Sequence, residues 1–269
     1  MELWQALLLG LVEGLTEFLP VSSTGHLLVA QRLLGIEENE ASNAYAIVIQ
    51  LGAILAVLGL YRARVWQISL GLVGRDSTGT QLAKALLLAF LPAAVIGLSA
   101  DDAIEQYLFG PWPVAAAWAA GGGLLLAISH RIHPTRGAPL ESIGWRIALI
   151  VGFAQCAAMW PGVSRSLSTI LGGLAAGLSL GAAVEFSFLL GLLTLGAATA
   201  YKTLDSGSAM LEAYGPVELG AGFIAAWLSA WLAVKWMVAW LSRRGLGVFG
   251  WWRLGAAALV AGLLLTGYL

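Results

Sequence analysis

The sequence predicts an all-α integral membrane protein, with six transmembrane helices plus two re-entrant helix hairpins (four half-helices) in two inverted-topology repeats. Three observations carry this reading. Apolar residues make up 59% of the 269 and charged ones 11%, where ordinary soluble domains carry about 25% charge. Six apolar runs approach the roughly 20 residues that one bilayer crossing needs. Two further apolar segments are each broken at the centre by proline and polar residues. The net charge of −1 gives no electrostatic case for nucleic acid. The single cysteine, Cys156, excludes an intrachain disulfide.

The first element, residues 1–34, is the first broken segment. Glu2 stands where a cleaved signal would be basic, and Glu13 and Glu17 interrupt the apolar run, so a removable leader is not expected. Its break reads Glu17-Phe-Leu-Pro-Val-Ser-Ser-Thr-Gly-His26. Spans follow at Ala44–Tyr61 and Ala85–Ala100, then Pro113–Ser129. The second broken segment, residues 147–180, carries Trp160-Pro-Gly-Val-Ser-Arg-Ser-Leu-Ser-Thr169. Spans at Ala182–Tyr201, Val217–Leu241 and Trp252–Leu269 complete the chain. Irregular backbone survives at membrane depth only where it is buried in protein or lines a wet cavity. Each broken segment therefore reads as a hairpin of two half-helices.

Ten of the 14 basic residues fall into three loops: Arg62, Arg64, Arg75 and Lys84; Arg131, Arg136 and Arg146; Arg243, Arg244 and Arg253. The positive-inside rule makes these loops cytoplasmic. The other loops are acidic, with Glu37, Glu38, Glu40, Asp101, Asp102, Glu105, Asp205 and Glu212. Hairpin one then enters from outside and hairpin two from the cytoplasm. This makes a single membrane domain over residues 1–269, with repeat one at about 1–110 and repeat two at about 111–269. Inverted repeats with broken helices place a site near the midplane, where the two breaks meet.

Glu13 and Glu17, four apart, share one helix face. Two adjacent carboxylates in an apolar setting fit a divalent-metal site, since Mg²⁺ and Ca²⁺ take carboxylate oxygens and bridge to phosphates. A general base is the other possibility, and helix-end carboxylates near water the bland one. His26 follows Ser22, Ser23 and Thr24; a serine near a histidine and an acid is how a nucleophile is activated, while Ser22 or Ser23 could simply cap a helix. Arg165 can grip phosphate oxygens in pairs, and Ser164, Ser166, Ser168 and Thr169 add hydroxyls at a helix start that favours anions. A salt bridge from Arg165 to Glu13 or Glu17 is the structural alternative. Gln50, Gln155 and Glu185 read as interhelical hydrogen-bonding groups.

At these two motifs the sequence resembles the bacterial undecaprenyl-diphosphate phosphatase family, also known for bacitracin resistance. The first motif runs Val12-Glu-Gly-Leu-Thr-Glu-Phe-Leu-Pro-Val-Ser-Ser-Thr-Gly-His26 and the second Pro161-Gly-Val-Ser-Arg-Ser-Leu-Ser-Thr169. Ile49–Leu55 and Glu185–Leu190 also look familial. The resemblance implies hydrolysis of undecaprenyl diphosphate to the monophosphate, a divalent cation (Mg²⁺ or Ca²⁺), and a multi-pass protein of the bacterial inner membrane. The site would open towards the periplasm, with membrane lipids around it and room for a homodimer. It links Glu13 and Glu17 to metal or base function and Ser23 and His26 to attack on phosphorus. Arg165, Ser164 and Thr169 are linked to phosphate binding. The family usually has glycine after Ser-Arg-Ser, where this chain has Leu167. From the architecture alone, the competing class is a transporter.

Overall fold

The computed structural model describes every residue except 38 and 133–135, and the backbone alone at 40, 41, 43, 100–106 and 202–213. The side chains of Glu38, Glu40, Asp101, Asp102, Glu105, Asp205 and Glu212, used in the loop-charge argument, lie outside the described residues. Eleven α-helices are described: α1 Leu3–Thr16, α2 Ser23–Leu33, α3 Glu40–Leu60, α4 Arg62–Leu72, α5 Ser77–Leu108 and α6 Pro111–Ser129, then α7 Trp145–Cys156, α8 Arg165–Ala175, α9 Leu180–Ala213, α10 Pro216–Arg244 and α11 Gly247–Leu265. Among the described residues there is no strand, only an isolated bridge between Ala138 and Leu178.

Five of these helices are long and apolar enough to cross a membrane: Ser77–Ser99 of α5, α6, Leu180–Tyr201 of α9, α10 and α11. A sixth crossing is available if α3 and α4 count as one span, bent by 83°. The bend was not foreseen. The span expected to end at Tyr61 does end there, but the chain continues as α4 in a new direction. Arg62 and Arg64 lie within α4, Lys84 within α5, Arg146 within α7, and Arg243 and Arg244 at the end of α10, rather than in loops. Arg253 corrects the loop-charge argument outright, because it sits inside α11 and is fully buried.

Each broken segment consists of two short helices, α1 with α2 and α7 with α8, none long enough to span alone. What holds them is small-residue packing, the usual device where lipid supplies no hydrophobic drive between helices. A Cβ on Gly10 would lie 2.3 Å from the Gly222 carbonyl oxygen, and one on Gly14 2.1 Å from Ser229 Oγ. Helix α1 thus lies backbone-to-backbone on α10. The Tyr45 hydroxyl of α3 donates to the Ala6 carbonyl at 2.7 Å and fixes the third side. Outward positions of α1, including Trp4, Leu8, Leu11 and Leu15, are exposed as a lipid-facing stripe would be.

Further pairings run α3 with α9, α3 with α10, α5 with α7 and with α9, α6 with α11, and α8 with both α7 and α9. The main core contains Phe18, Val21, Leu167, Ile170, Phe186 and Phe188. It therefore wraps both breaks, and their polar residues are set among buried apolar side chains.

Candidate active site

Each break ends in a serine at the position just before the second half-helix, Ser22 and Ser164. Ser22 has φ 72° and Ser164 φ 80°, and these are the only described non-glycine residues with positive φ. That conformation is costly for a residue with a Cβ. It turns the chain sharply, so that α2 and α8 begin with their N–H groups and positive dipole ends turned into the protein. Leu167 is not in that set. It lies one turn into α8, buried in the core, so the helix accepts a leucine where the resembling family has glycine.

The two breaks meet at one carboxylate. Glu17, at the end of α1, accepts a hydrogen bond from Ser23 Oγ on its Oε2. Its Oε1 accepts from Arg165 Nη2 at 3.3 Å. Arg165 also donates from Nη1 to the Ser187 carbonyl at 2.9 Å, and its guanidinium lies 5.2 Å from the centre of the Phe18 ring. Room for that guanidinium comes from Gly191, where a Cβ would stand 2.4 Å from Nη1. Serine, carboxylate and arginine from two distant segments thus form one chain, largely shielded from solvent. The Arg165–Glu17 ion pair, weighed above as the structural alternative, is present.

Glu13 lies one turn below Glu17 and is 1% exposed, and its Oε2 has no hydrogen-bond partner. A buried carboxylate oxygen without a donor is costly unless a cation or a proton meets it. Among the described residues no group of three or more His, Cys, Asp or Glu could cage a metal. Two adjacent carboxylates suffice for an ion that keeps several waters and completes its shell with substrate phosphates, as Mg²⁺ does. Of these two carboxylates, Glu13 Oε2 is open to a cation, whereas both oxygens of Glu17 already accept from Ser23 and Arg165.

The remaining expected residues divide. Ser166 Oγ donates to the Leu19 carbonyl at 2.8 Å and so ties the second break to the first. Ser164 Oγ pairs with Ser166 Oγ at 3.0 Å and accepts from the Leu167 amide at 3.2 Å. Thr169 Oγ1 donates to the Arg165 carbonyl at 2.9 Å and pairs with Ser187 Oγ at 2.7 Å. These hydroxyls are occupied in bracing the break. Ser22 makes no side-chain cap bond, but its carbonyl lies 2.7 Å from His26 Nδ1. Nδ1 must therefore carry the proton, which leaves Nε2 to accept from Trp252 Nε1 at 3.0 Å. No described hydrogen bond joins His26 to Ser23, Glu13 or Glu17. The structure pairs Ser23 with Glu17 instead.

Two apolar grooves, of about 510 and 520 Å³, share Val12, His26 and Trp252 in their linings. Sequence reasoning gave no site role to Trp252 or to Ser187, which lies within the quoted stretch Glu185–Leu190. It also missed Arg253. Its Nη1 donates to the carbonyls of Pro20 (3.3 Å) and Val163 (3.1 Å), and its Nη2 to those of Ala117 and Gly162 (both 2.9 Å). The available signal was a lone arginine flush against an otherwise apolar run.

A family model described as bacitracin resistance protein BacA matches residues 6–259. An undecaprenyl-diphosphatase of Sorangium cellulosum is 49% identical over 261 residues, 96% of this chain and 85% of that protein. Undecaprenyl-diphosphatase 2 of Rhodospirillum rubrum is 45% identical, covering 95% and 93% of the two chains. An undecaprenyl-diphosphatase of Ectopseudomonas mendocina is 44% identical, covering 94% and 92%.

Proposed function

Because the chain belongs to the bacitracin resistance protein BacA family, we propose that it hydrolyses undecaprenyl diphosphate to undecaprenyl phosphate and inorganic phosphate. It thereby returns the lipid carrier to cell-wall synthesis and confers resistance to bacitracin. It works in the bacterial inner membrane, with its site open towards the periplasm. The observation that carries the chemical reading is the chain Ser23–Glu17–Arg165, in which one carboxylate links a hydroxyl to a guanidinium.

Arg165 and the N-termini of α2 and α8 hold the diphosphate and stabilise charge as it develops. Ser23 Oγ attacks the terminal phosphorus and passes its proton to Glu17. The bond from that phosphorus to the bridging oxygen breaks, and undecaprenyl phosphate leaves. Water then attacks the phosphoserine, Glu17 returns its proton to Ser23 Oγ, and inorganic phosphate departs with the water oxygen. Glu13 and Glu17 would hold a divalent cation, Mg²⁺ or Ca²⁺, which neutralises phosphate charge during transfer. Either apolar groove beside His26 can seat the prenyl chain.

The same reading includes six spans and two inverted repeats. Helix pairing supports it: exchanging α1 with α7, α2 with α8, α3 with α9 and α5 with α10 carries α1–α10 onto α7–α5 and α3–α10 onto α9–α5. The spacing that pairs Val21 with Val163 pairs Ser22 with Ser164 and Ser23 with Arg165. It also pairs Glu13 with Gln155, whose Oε1 accepts from Thr194 Oγ1 at 3.2 Å. One half thus contributes the carboxylates and the other the cation.

The test is phosphate release from a long-chain prenyl diphosphate by purified protein, with and without Mg²⁺ or Ca²⁺, beside Glu17→Ala and Arg165→Ala. Metal-dependent release that both variants lose is the expected result. No release by folded, metal-loaded wild type would overturn the phosphatase reading and put substrate flux in proteoliposomes first.

A further inference from the structure

Arg253 has no place in the chemistry just described, yet it is among the largest fully buried side chains in the molecule. No described carboxylate lies within ion-pairing distance of it. A buried cation without a counter-ion is normally selected against, so its four hydrogen bonds must serve a purpose. All four go to carbonyls, and those carbonyls come from three separate segments: Pro20 of the first break, Gly162 and Val163 of the second, and Ala117 of α6. The guanidinium lies against Gly121, where a Cβ would come within 2.3 Å of Nη2. The seat is cut for a planar fork.

The positions of those carbonyls matter. Gly162 and Val163 lead directly into Ser164, and Pro20 stands two residues before Ser22. Ser22 and Ser164 are the two strained residues from which α2 and α8 start. Fixing the peptide planes just ahead of them fixes the direction in which Ser23 and Arg165 leave their half-helices.

We propose that Arg253 is a positioning residue for phosphoryl transfer, a fork on α11 that registers the two breaks against each other and so sets the Ser23–Glu17–Arg165 spacing. Arg253 makes no described bond to any of those three side chains; its described hydrogen bonds all go to backbone carbonyls. Lysine keeps the charge but offers a compact point donor in place of a planar fork, and cannot span carbonyls from three segments. The kinetic part of this proposal rests on the phosphatase reading; the structural part does not.

The experiment compares wild type, Arg253→Lys and Arg253→Met as purified full-length protein in detergent. Phosphate release from a prenyl diphosphate is measured together with hydrogen–deuterium exchange. Misplacing reacting groups by about 1 Å can cost roughly 100-fold in rate. The expected result is a fall in kcat of about that size in both variants, with KM within about threefold of wild type. Exchange should rise together at residues 20–24 and 161–166 and stay unchanged in α9 and α10. Wild-type kcat in Arg253→Lys, a loss confined to KM, or faster exchange in α6 and α11 without the breaks would each overturn it. Should Arg253→Met fail to fold, Arg253→Lys carries the test. Should wild type release no phosphate, the substrate reading fails by itself, and the exchange data still decide whether Arg253 registers the breaks.

Discussion

The ion pair between Glu17 and Arg165 can be weighed as a structural element separately from its chemistry. At 3.3 Å and an effective dielectric of about 20, two unit charges attract by about 5 kcal/mol. Desolvation of both groups offsets much of that, so the intact pair adds little net stability. Removing one partner is different, because the other is left as a buried, uncompensated charge at a cost of about 3–5 kcal/mol. Glu17→Gln and Arg165→Met should each lose stability of that order; Arg165→Met adds the loss of its bond to the Ser187 carbonyl and its contact with Phe18. The double variant leaves neither charge behind. Its loss should be smaller than the sum of the two by about 3 kcal/mol, a coupling well above that of independent sites. The assay is reversible unfolding in mixed micelles, with phosphate release measured on the same preparations. None of the three variants should release phosphate, because stability recovers in the double variant and chemistry does not. Additive stability losses, or activity returning with stability, would refute the reasoning.

Other perturbations separate packing from chemistry. Ser23→Ala should fold normally, lose phosphate release by about 1,000-fold or more, and no longer yield a phosphoserine that wild type yields on rapid quenching; full activity would assign the attack to water. Gly14→Val drives a side chain into Ser229 and the Ala226 carbonyl of α10 and should destabilise by about 3 kcal/mol, seen as a lowered unfolding midpoint. Gly191→Ala brings a Cβ within 2.4 Å of Arg165 Nη1, so the guanidinium must shift away from Glu17. It should cost about 10–100-fold in kcat/KM and no more stability than Arg165→Met, and wild-type kcat/KM would contradict this account. Chelation should abolish phosphate release and Mg²⁺ or Ca²⁺ restore it, with Glu13→Gln needing more metal for half-maximal rate.

Much of this was legible because breaks in apolar runs are local. Proline, glycine and serine clusters at Pro20–Ser23 and Pro161–Ser164 interrupt helical periodicity visibly, and polar residues at such places are costly unless used. That sufficed to bring Glu17, Ser23 and Arg165 together before any coordinates. Partner choice was not legible. Whether Ser23 bonds to His26 or to Glu17 depends on the turn at Ser22, whose carbonyl claims the histidine. Ser164, Ser166 and Thr169 looked like free donors, but in three dimensions each is occupied by the break it supports. Arg253 was misread for the same reason. Counted with Arg243 and Arg244, it read as part of a basic cytoplasmic loop, and the four carbonyls that receive it lie far away in sequence. The bend at Tyr61 had no proline to announce it, and Gly59, two residues earlier, lies inside α3.

The placement of Arg253 on α11 has a consequence for biogenesis. The ribosome makes both hairpins, with every residue of the Ser23–Glu17–Arg165 chain, well before it makes α11. Until that helix inserts beside α6, the carbonyls of Pro20, Gly162 and Val163 lack the donors that join them. A half-made chain in the translocon would already carry its acids, serine and arginine while the junction between its breaks stood open. Completion of the candidate site is thereby coupled to the final insertion event of synthesis.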